Sequence, residues 1–252
     1  MTLEAAFADL ALPVGVGDRP YTFVNMITTL DGKAVVGGAG TTWTVGSDTD
    51  HALFKWLRRS CDAVLSGASS LTADEMPYPR VSETERERRV AAGLRPVPLW
   101  VVVSGRANVP PTLRLLKEGG EDVLVVVSAS APRDRVAALE AVVPVLRLGA
   151  SSVPVGALVR KLREEYGVRR LYCIGGPTLN AAMLADGVLD ELFMTLAPKI
   201  QGGRGMTTMI EGDARPPEAL KTAKLLSAYQ EEDELFMRYA LSEAAKRLRS
   251  TP

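Results

Sequence analysis

The chain has 252 residues, 46% hydrophobic and 24% charged, and its 30 basic and 30 acidic side chains cancel at pH 7. These values suit a globular protein with a sizeable core, and the zero net charge gives no sign of nucleic-acid binding. No apolar run approaches the roughly 20 residues of a membrane span, and the acidic N-terminus lacks the basic start of a signal peptide. We therefore expect a cytoplasmic protein with neither a membrane nor a nucleic acid as its partner.

The cysteine and histidine content makes a metal site improbable. Cys61 and Cys173 both lie in apolar segments, which favours buried free thiols over a disulfide. With His51 as the single histidine, no zinc site of familiar spacing can form. We predict no metal, and we place His51 at the surface or in a dimer contact.

Strand-like and helix-like segments alternate along the chain, which predicts an α/β fold. Ser47 is the expected N-cap of a first helix, and Gly167 is placed to end a later one. A charged run over 83–89 has the composition of a solvated helix face. Strands are predicted at 21–27, 34–36, 62–65, 99–103, 123–127, 168–174, 189–197, 225–229 and 235–239, with further helices at 134–142, at 155–166 and after Pro177.

The last two predicted strands are joined by a short acidic turn and form an antiparallel hairpin. The expected architecture therefore has three layers: a mixed, mostly parallel central sheet, flanking helices and a C-terminal antiparallel hairpin. Because no repeat or flexible linker divides the sequence, we predict a single domain over 1–252, with its core at about 19–240 and a basic tail at 241–252.

The segment L-Y-C-I-G-G-P-T-L-N, residues 171–180, is the most informative in the chain. An apolar strand ends at Ile174, Gly175 and Gly176 follow, and Pro177 opens a helix. Glycines between a strand and a helix N-terminus let backbone N–H groups approach a phosphate, and the helix dipole favours negative charge there. Proline suits the first helical position, where no intrahelical hydrogen bond is lost.

Two other predicted strands end in the same small-residue pattern. One runs into Ser66–Gly67 with Ser69 and Ser70 beyond, and another into Ser104-Gly105-Arg106. Ligands of α/β proteins bind outside the carboxyl ends of the strands, where such loops cluster. Together the three loops indicate a ligand with several phosphates, such as NADPH, with Arg106 near the 2′-phosphate. The sequence lacks a Rossmann fingerprint, a P-loop and a G-x-S-x-G elbow.

Few polar residues remain for a substrate with an anionic tail and a polar heterocycle. Arg58 or Arg80 could bind the anion and Asp74 the ring nitrogens, while Pro77 and Pro79 stiffen the loop around Tyr78. For each of these side chains taken individually, a surface salt bridge or a cap is the favoured interpretation.

Three longer motifs resemble the reductase domain of riboflavin biosynthesis, a family with the dihydrofolate reductase fold. They are R-P-Y-T-F-V-N-M-I-T-T-L-D-G-K-A, L-R-R-S-C-D-A-V-L-S-G-A-S-S-L-T-A-D, and I-G-G-P-T-L-N-A-A-M-L with V-L-D-E-L-F-M-T-L-A-P-K-I-Q-G-G. The resemblance implies NADPH-dependent reduction of the ribose of a 5-amino-6-(5-phosphoribosylamino)uracil to a ribityl chain. The motifs of the zinc deaminase that often precedes this domain are absent, so a stand-alone reductase is expected.

The resemblance also implies roles for individual residues. Asp74 or Lys33 would assist proton delivery, Trp43 or Thr44 would lie beside the nicotinamide, and the family implies a homodimer. The remaining predicted cofactor residues are Gly67, Ser70, Asp74, Ser104, Arg106, Gly175, Gly176, Pro177, Thr178, Leu179 and Asn180, and the predicted substrate residues are Lys33, Thr41, Arg58, Tyr78, Arg80 and Ile174.

Ile174 departs from the family, which usually has a glutamate just before the glycine pair. An isoleucine cannot make a carboxylate contact, and a substrate polar group left unpaired costs about 1–3 kcal/mol. Two alternatives therefore stay open: a dihydrofolate or pterin reductase on the same fold, and a non-catalytic NADPH-binding protein.

Overall fold

The structure, a computed structural model, describes residues 12–15, 17–34, 45–73 and 76–247. Nine strands of these described ranges lie in one sheet, and helices occupy most of the connections. The strands are β1 (Tyr21–Thr28), β2 (Ala63–Gly67), β3 (Leu99–Val103), β4 (Val123–Val127), β5 (Val145–Arg147), β6 (Arg170–Cys173), β7 (Glu191–Leu196), β8 (Lys224–Glu231) and β9 (Glu234–Ala240). The α-helices are α1 (Asp48–Arg59), α2 (Ala68–Ala73), α3 (Glu83–Ala91), α4 (Arg114–Gly119), α5 (Arg133–Glu140), α6 (Val155–Tyr166), α7 (Pro177–Ala185) and α8 (Glu243–Lys246).

The strand order is β5-β4-β3-β2-β6-β1-β7-β9-β8. The first seven strands in this order pair in parallel, whereas β9 pairs antiparallel with both β7 and β8. The predicted α/β class, the mixed and mostly parallel sheet and the C-terminal hairpin are confirmed. β9 lies between two strands, so the exposed edge at this end of the sheet belongs to β8.

Apolar side chains on both faces of the sheet are covered by helices, which gives the predicted three layers. On one face, α1, α2, α4 and α5 pack on residues such as Phe23, Trp100 and Tyr172. On the other face, α6 and α7 pack on residues such as Leu65 and Val101. Both faces of the parallel strands are therefore buried, as in other parallel sheets.

Several element boundaries differ from those that the sequence predicts. The small residues after β2 continue directly into α2 rather than forming a loop, and the three-residue strand β5 was not predicted. Ala34 lies in a bend rather than at the start of a strand, while residues 35 and 36 lie outside the described part of the chain. Short elements carry too few residues for a hydrophobic period, so tertiary pairing decides them.

The local signals for caps and cysteines are confirmed. Ser47 caps α1 by accepting the backbone N–H of Asp50, and Gly167 ends α6 in the left-handed conformation at φ +66°. Cys61 and Cys173 are both free and buried. No helix in the described ranges is long and apolar enough to cross a membrane, and no group of three His, Cys, Asp or Glu in those ranges could hold a metal ion.

The prediction that residues 83–89 form a solvated helix face is wrong at its last residue. Arg89 is only 2% exposed, although it carries a full charge. Its guanidinium donates to the backbone carbonyl oxygens of Arg59, Cys61 and Arg95 at 2.7–2.8 Å. These oxygens lie at the end of α1 and in the loop before β3, so Arg89 joins α3 to both.

Candidate functional site

The three small-residue loops meet at one edge of the sheet because β3, β2 and β6 are neighbours in the strand order. The Gly67 N–H donates to the carbonyl oxygen of Gly175 at 2.9 Å, and the Ile174 N–H donates to that of Leu65 at 2.9 Å. The carboxyl end of β2 and the loop after β6 therefore form one continuous backbone surface. The loop after β3, with Ser104 and Arg106, lies on the far side of β2.

The glycine pair lies at the N-terminus of α7, and both positions favour glycine, one through its backbone conformation and the other through a close contact. Gly175 has φ +88°, a conformation that favours glycine. A Cβ on Gly176 would lie 2.5 Å from the Ser70 Oγ, and one on Gly175 would lie 3.4 Å from the Met26 sulfur. Gly176 is the N-cap of α7 and Pro177 its first residue, as predicted. Backbone and helix dipole together suit a negatively charged group such as a cofactor phosphate.

A cleft of about 710 Å³, its open mouth included, lies beside this glycine pair. Its walls come from the carboxyl ends of β1 and β2, the first half of α1, and α2. Most of the lining is apolar, with a few polar groups, as in small-molecule sites generally. The lining residues are Asn25, Met26, Ile27, Ala34, Asp50, His51, Phe54, Ser66, Ser70, Leu71, Met76 and Ile174.

Asp50 brings a buried carboxyl group to this cleft. The side chain of Thr195 on β7 donates to its Oδ1 at 2.6 Å. Its Oδ2 lies against Gly46, where a Cβ would be only 2.5 Å away. Burial raises the pKa of Asp50, the Thr195 hydrogen bond lowers it, and the nearby Glu234 raises it. The group is held in a fixed orientation at a cost in desolvation.

A second cleft at the end of α1 is lined by arginines. Arg58, Arg59 and Arg80 contribute to its walls together with Arg88 and Arg89, against the single acidic residue Glu85. Arg89 already donates to backbone carbonyl oxygens, but the guanidinium groups of the other four arginines favour a phosphate or carboxylate ligand. Burial lowers the pKa of Arg58, so an anion bound there would relieve an electrostatic cost.

One face of α1 connects the two clefts. Asp50, Phe54 and Arg58 follow one another at four-residue spacing, which places them on the same side of a helix. The Arg58 guanidinium lies 5.9 Å from the centre of the Phe54 ring. Eight residues of helix separate the acidic end of this face from the basic end, a rise of about 12 Å.

Comparison with known proteins assigns this arrangement to a family. The family model described as RibD C-terminal domain matches residues 20–230. The chain belongs to the RibD C-terminal domain family.

Two relatives of this RibD C-terminal domain are named 2,5-diamino-6-ribosylamino-4(3H)-pyrimidinone 5′-phosphate reductase. The one from Methanothermobacter thermautotrophicus is 35% identical over 77% of the chain and 85% of the relative, and the one from Archaeoglobus fulgidus is 34% identical over 78% and 88%. A pyrimidine reductase-like protein from Corynebacterium diphtheriae shares the fold with a TM-score of 0.80 at 21% identity, covering 96% of this chain and all of the other. The chain is an oxidoreductase that uses a nicotinamide cofactor.

The predicted cofactor residues of this RibD C-terminal domain divide into two groups. Ser70 lines the cleft, Gly67, Gly175 and Gly176 lie next to it at the carboxyl ends of β2 and β6, and Ser104, Arg106 and Pro177 lie at the same end of the sheet. Thr178 instead borders a surface groove beside α7. The side chains of Leu179 and Asn180 are buried, and Asn180 donates to the carbonyl oxygen of Met209, so these two support the loop rather than face the cleft.

The predicted substrate residues are divided in a similar way. Arg58 and Arg80 share the arginine cleft, and Ile174 lines the first cleft. Lys33 does not line the first cleft, although its neighbour Ala34 does. Thr41, Trp43, Thr44 and Asp74 lie outside the described residues.

Tyr78 is not brought to either cleft. Its hydroxyl donates to Asp122 Oδ2 at 2.9 Å, and burial and this carboxylate raise the pKa of Tyr78. Asp122 directly precedes β4, at the amino end of the sheet and opposite to the cleft. The two prolines beside Tyr78 predicted a rigid loop. They did not show that this loop contacts the amino end of the sheet.

Sequence reasoning missed the α1 side of the site. Asp50 was noticed only as part of a helix start, and His51 was placed at the surface, whereas both line the cleft. Asn25 and Met26 on β1 also line it. The four-residue spacing of Asp50, Phe54 and Arg58 was the available signal, since it places an acid, an aromatic ring and a base on one helix face.

Proposed function

We propose that the protein is an NADPH-dependent reductase of a pyrimidine ribosyl phosphate in riboflavin biosynthesis, acting as a single domain. The observation that carries the proposal is the α1 face with Asp50 and Phe54 at the apolar cleft and Arg58 in the arginine cleft. Its length of about 12 Å suits a substrate with a polar heterocycle at one end and a phosphate at the other. The names of the two relatives describe such a substrate.

The cofactor phosphates would lie against the glycine pair and the N-terminus of α7. The close approach of Gly176 to Ser70 leaves the backbone of this loop open to a ligand. Ser104 and the exposed Arg106 follow β3, two strands from β6, and would bind the 2′-phosphate that distinguishes NADPH from NADH.

When bound, NADPH would supply the hydride that reduces the ribose C1′, while the C1′–O4′ bond would break and O4′ would take up a proton. The residues of the chain orient the two partners and exclude water. Met26, Ile27 and Leu71, together with Ile174, give the cleft apolar walls at the carboxyl ends of the strands. Arg58 and Arg80 would anchor the phosphate, so that binding energy far from C1′ fixes the position of C1′. Proton delivery by Asp74 or Lys33 stays a prediction.

NADPH oxidation by the purified protein tests the proposal. The diaminopyrimidinone ribosyl phosphate, its deaminated uracil counterpart and dihydrofolate are supplied in parallel. We expect turnover of at least one ribosyl phosphate and none of dihydrofolate. Turnover of dihydrofolate alone would indicate a pterin reductase, and NADPH binding without any turnover would indicate a non-catalytic cofactor-binding protein.

We also propose that the protein is a cytoplasmic homodimer. The free buried cysteines suit a reducing compartment. β8 is an edge strand with Leu225 46% exposed, and exposed apolar edges are usually paired or covered. Sedimentation at micromolar concentration should give the mass of two chains, and a monomer would contradict the proposal.

A further inference from the structure

Asp50 is the one carboxyl group among the described residues that line the cleft. Only 7% of the residue is exposed, and Thr195 holds one of its two oxygens. The other oxygen, Oδ2, accepts no hydrogen bond from the described part of the chain. A buried carboxylate with an unused acceptor is costly unless a ligand supplies N–H donors.

The side-chain amide of Asn25 also lines the cleft and lies beside the Tyr172 hydroxyl. The Asn25 Oδ1 is buried and has no hydrogen-bond partner within the described ranges. Across the cleft, Ile174 offers no polar atom. The Asp50 carboxylate is therefore the strongest acceptor among the described residues of the lining, and a ligand edge with two N–H groups complements it best.

The two pyrimidines that a reductase of this kind could take differ at one ring position. The diaminopyrimidinone ring has an N3–H beside a 2-amino group, so this edge carries two donors side by side. The deaminated uracil ring has the same N3–H beside a C2 carbonyl oxygen. A carboxylate can accept both donors of the first edge, but it would face the carbonyl oxygen of the second with no proton between them.

We propose that Asp50 determines the choice of substrate by accepting the N3–H and 2-amino groups of a 2-amino-4-oxopyrimidine ring. The inference rests on the proposed function and narrows it to the diaminopyrimidinone ribosyl phosphate. Thr195 positions the carboxylate, and Gly46 gives its second oxygen the space it needs. The 2-amino group is the feature that is recognised.

The test compares kcat/KM for the two ribosyl phosphates in the wild-type protein and in Asp50→Asn. Asparagine keeps an oxygen for Thr195 but offers an N–H₂ group in place of the second oxygen, and this group complements the C2 carbonyl of the uracil ring. The wild type should prefer the 2-amino substrate by at least roughly tenfold. In Asp50→Asn this ratio should fall by roughly 100-fold, so that the uracil substrate becomes the better one.

Binding measurements separate ring recognition from chemistry. Titration with 2,5,6-triamino-4-pyrimidinone and with 5,6-diaminouracil, two rings that differ only at C2, should show the same reversal. The circular dichroism spectrum of the variant should match that of the wild type, which verifies its fold. Thr195→Val is a second variant, and it should reduce the preference for the 2-amino ring without reversing it, because the carboxylate loses its orientation but keeps its acceptors.

The possible failures are distinguishable. If wild-type protein turns over neither ribosyl phosphate, the proposed function fails. If it turns over both with equal kcat/KM, or if Asp50→Asn leaves the ratio unchanged, the function stands and the role of Asp50 is refuted. The wild-type ratio requires no variant, so the inference can be tested even if both variants fold poorly.

Discussion

The N–H of Gly67 donates to the carbonyl oxygen of Gly175 at 2.9 Å, across two loops that are 108 residues apart in the sequence. This bond extends the parallel pairing of β2 and β6 past the end of β6, because Gly67 is the last residue of β2. It fixes the glycine pair against α2, where Ser70 lies. The candidate cofactor site is thus built on the sheet rather than on a separate flexible loop.

Gly176→Ala should weaken NADPH binding by roughly tenfold or more, equivalent to about 1.4 kcal/mol. The new methyl group would lie 2.5 Å from the Ser70 Oγ, so the Ser70 hydroxyl must rotate or the loop must move, and either change disturbs the predicted cofactor site. Fluorescence titration measures the effect. Ser70→Ala combined with Gly176→Ala removes the clashing oxygen and should recover part of the affinity.

Gly187→Ala is the control for this experiment. Gly187 follows the other end of α7 at φ +67°, and a Cβ there would meet nothing within 4 Å. The substitution should lower Tm through backbone strain but leave NADPH affinity unchanged. Equal losses of affinity in Gly176→Ala and Gly187→Ala would remove the glycine pair from the cofactor site.

Arg106→Ala should weaken NADPH much more than NADH, because only NADPH carries the 2′-phosphate that a guanidinium can bind in bidentate fashion. We expect roughly a tenfold difference between the two losses, measured as Kd for each cofactor. Arg114→Ala, which removes an exposed arginine paired with Glu118, is the matched control. A similar loss for NADPH and NADH in Arg106→Ala would contradict the assignment.

Arg58→Ala should reduce kcat/KM for the phosphorylated substrate by roughly 10- to 100-fold, through the loss of charge-assisted hydrogen bonds. The same variant should have little effect on a substrate without the phosphate. Arg86→Ala on α3 removes an arginine that does not line the arginine cleft and should affect neither. If Arg58→Ala impairs both substrates equally, Arg58 supports the fold of α1 rather than the phosphate.

Arg89→Met should lower the free energy of unfolding by about 2–5 kcal/mol. The substitution leaves the buried carbonyl oxygens of Arg59, Cys61 and Arg95 without their donor. Arg88→Met, one residue earlier on the same helix, should change stability by no more than about 0.5 kcal/mol. Urea denaturation measures the free energy of unfolding of the two variants. Equal values would show that the hydrogen bonds of Arg89 do not stabilise the fold.

Asp50→Asn should stabilise the protein at neutral pH. Burial raises the pKa of Asp50 in the folded state above its ordinary value of 3.8, so the folded state holds this proton more tightly than the unfolded state. Unfolding free energy therefore falls as pH rises from about 4 through the raised pKa, and then stays constant. His51 and Glu234 are the other titratable groups with an electrostatic effect on this carboxyl group.

Asp50→Asn has no carboxyl group to deprotonate, so its unfolding free energy does not decrease in this way. The variant should therefore be no more stable than the wild type near pH 3, and its excess stability should grow with pH. Thermal unfolding between pH 3 and pH 8 measures the difference in Tm. A constant difference over this range would show that Asp50 has an ordinary pKa. A stabilising substitution in the cleft would also mean that the carboxyl group is kept at a cost in stability, as functional groups often are.

Local patterns in the sequence were sufficient for the parts of the molecule that local chemistry decides. The Ser47 cap, the Gly167 helix end and Pro177 at the start of α7 follow from backbone conformation and hydrogen bonding over a few residues. The parallel sheet and its C-terminal hairpin follow from hydrophobic periods and turn signals of the same short range. The glycine pair was recognised for the same reason.

Only the tertiary structure decided which of these parts meet. The Asp50 carboxyl group accepts a hydrogen bond from Thr195, 145 residues further along the chain. A helix pattern in the sequence cannot show such a distant partner. Arg89 resembles its exposed neighbours in sequence, yet it is buried because the end of α1 presents carbonyl oxygens to it. Tyr78 likewise contacts Asp122 at the amino end of the sheet, opposite to the cleft. The sequence gives the chemical groups of the side chains. The distance between two side chains depends on strand order and on which helix face packs inward, and both are properties of the whole chain.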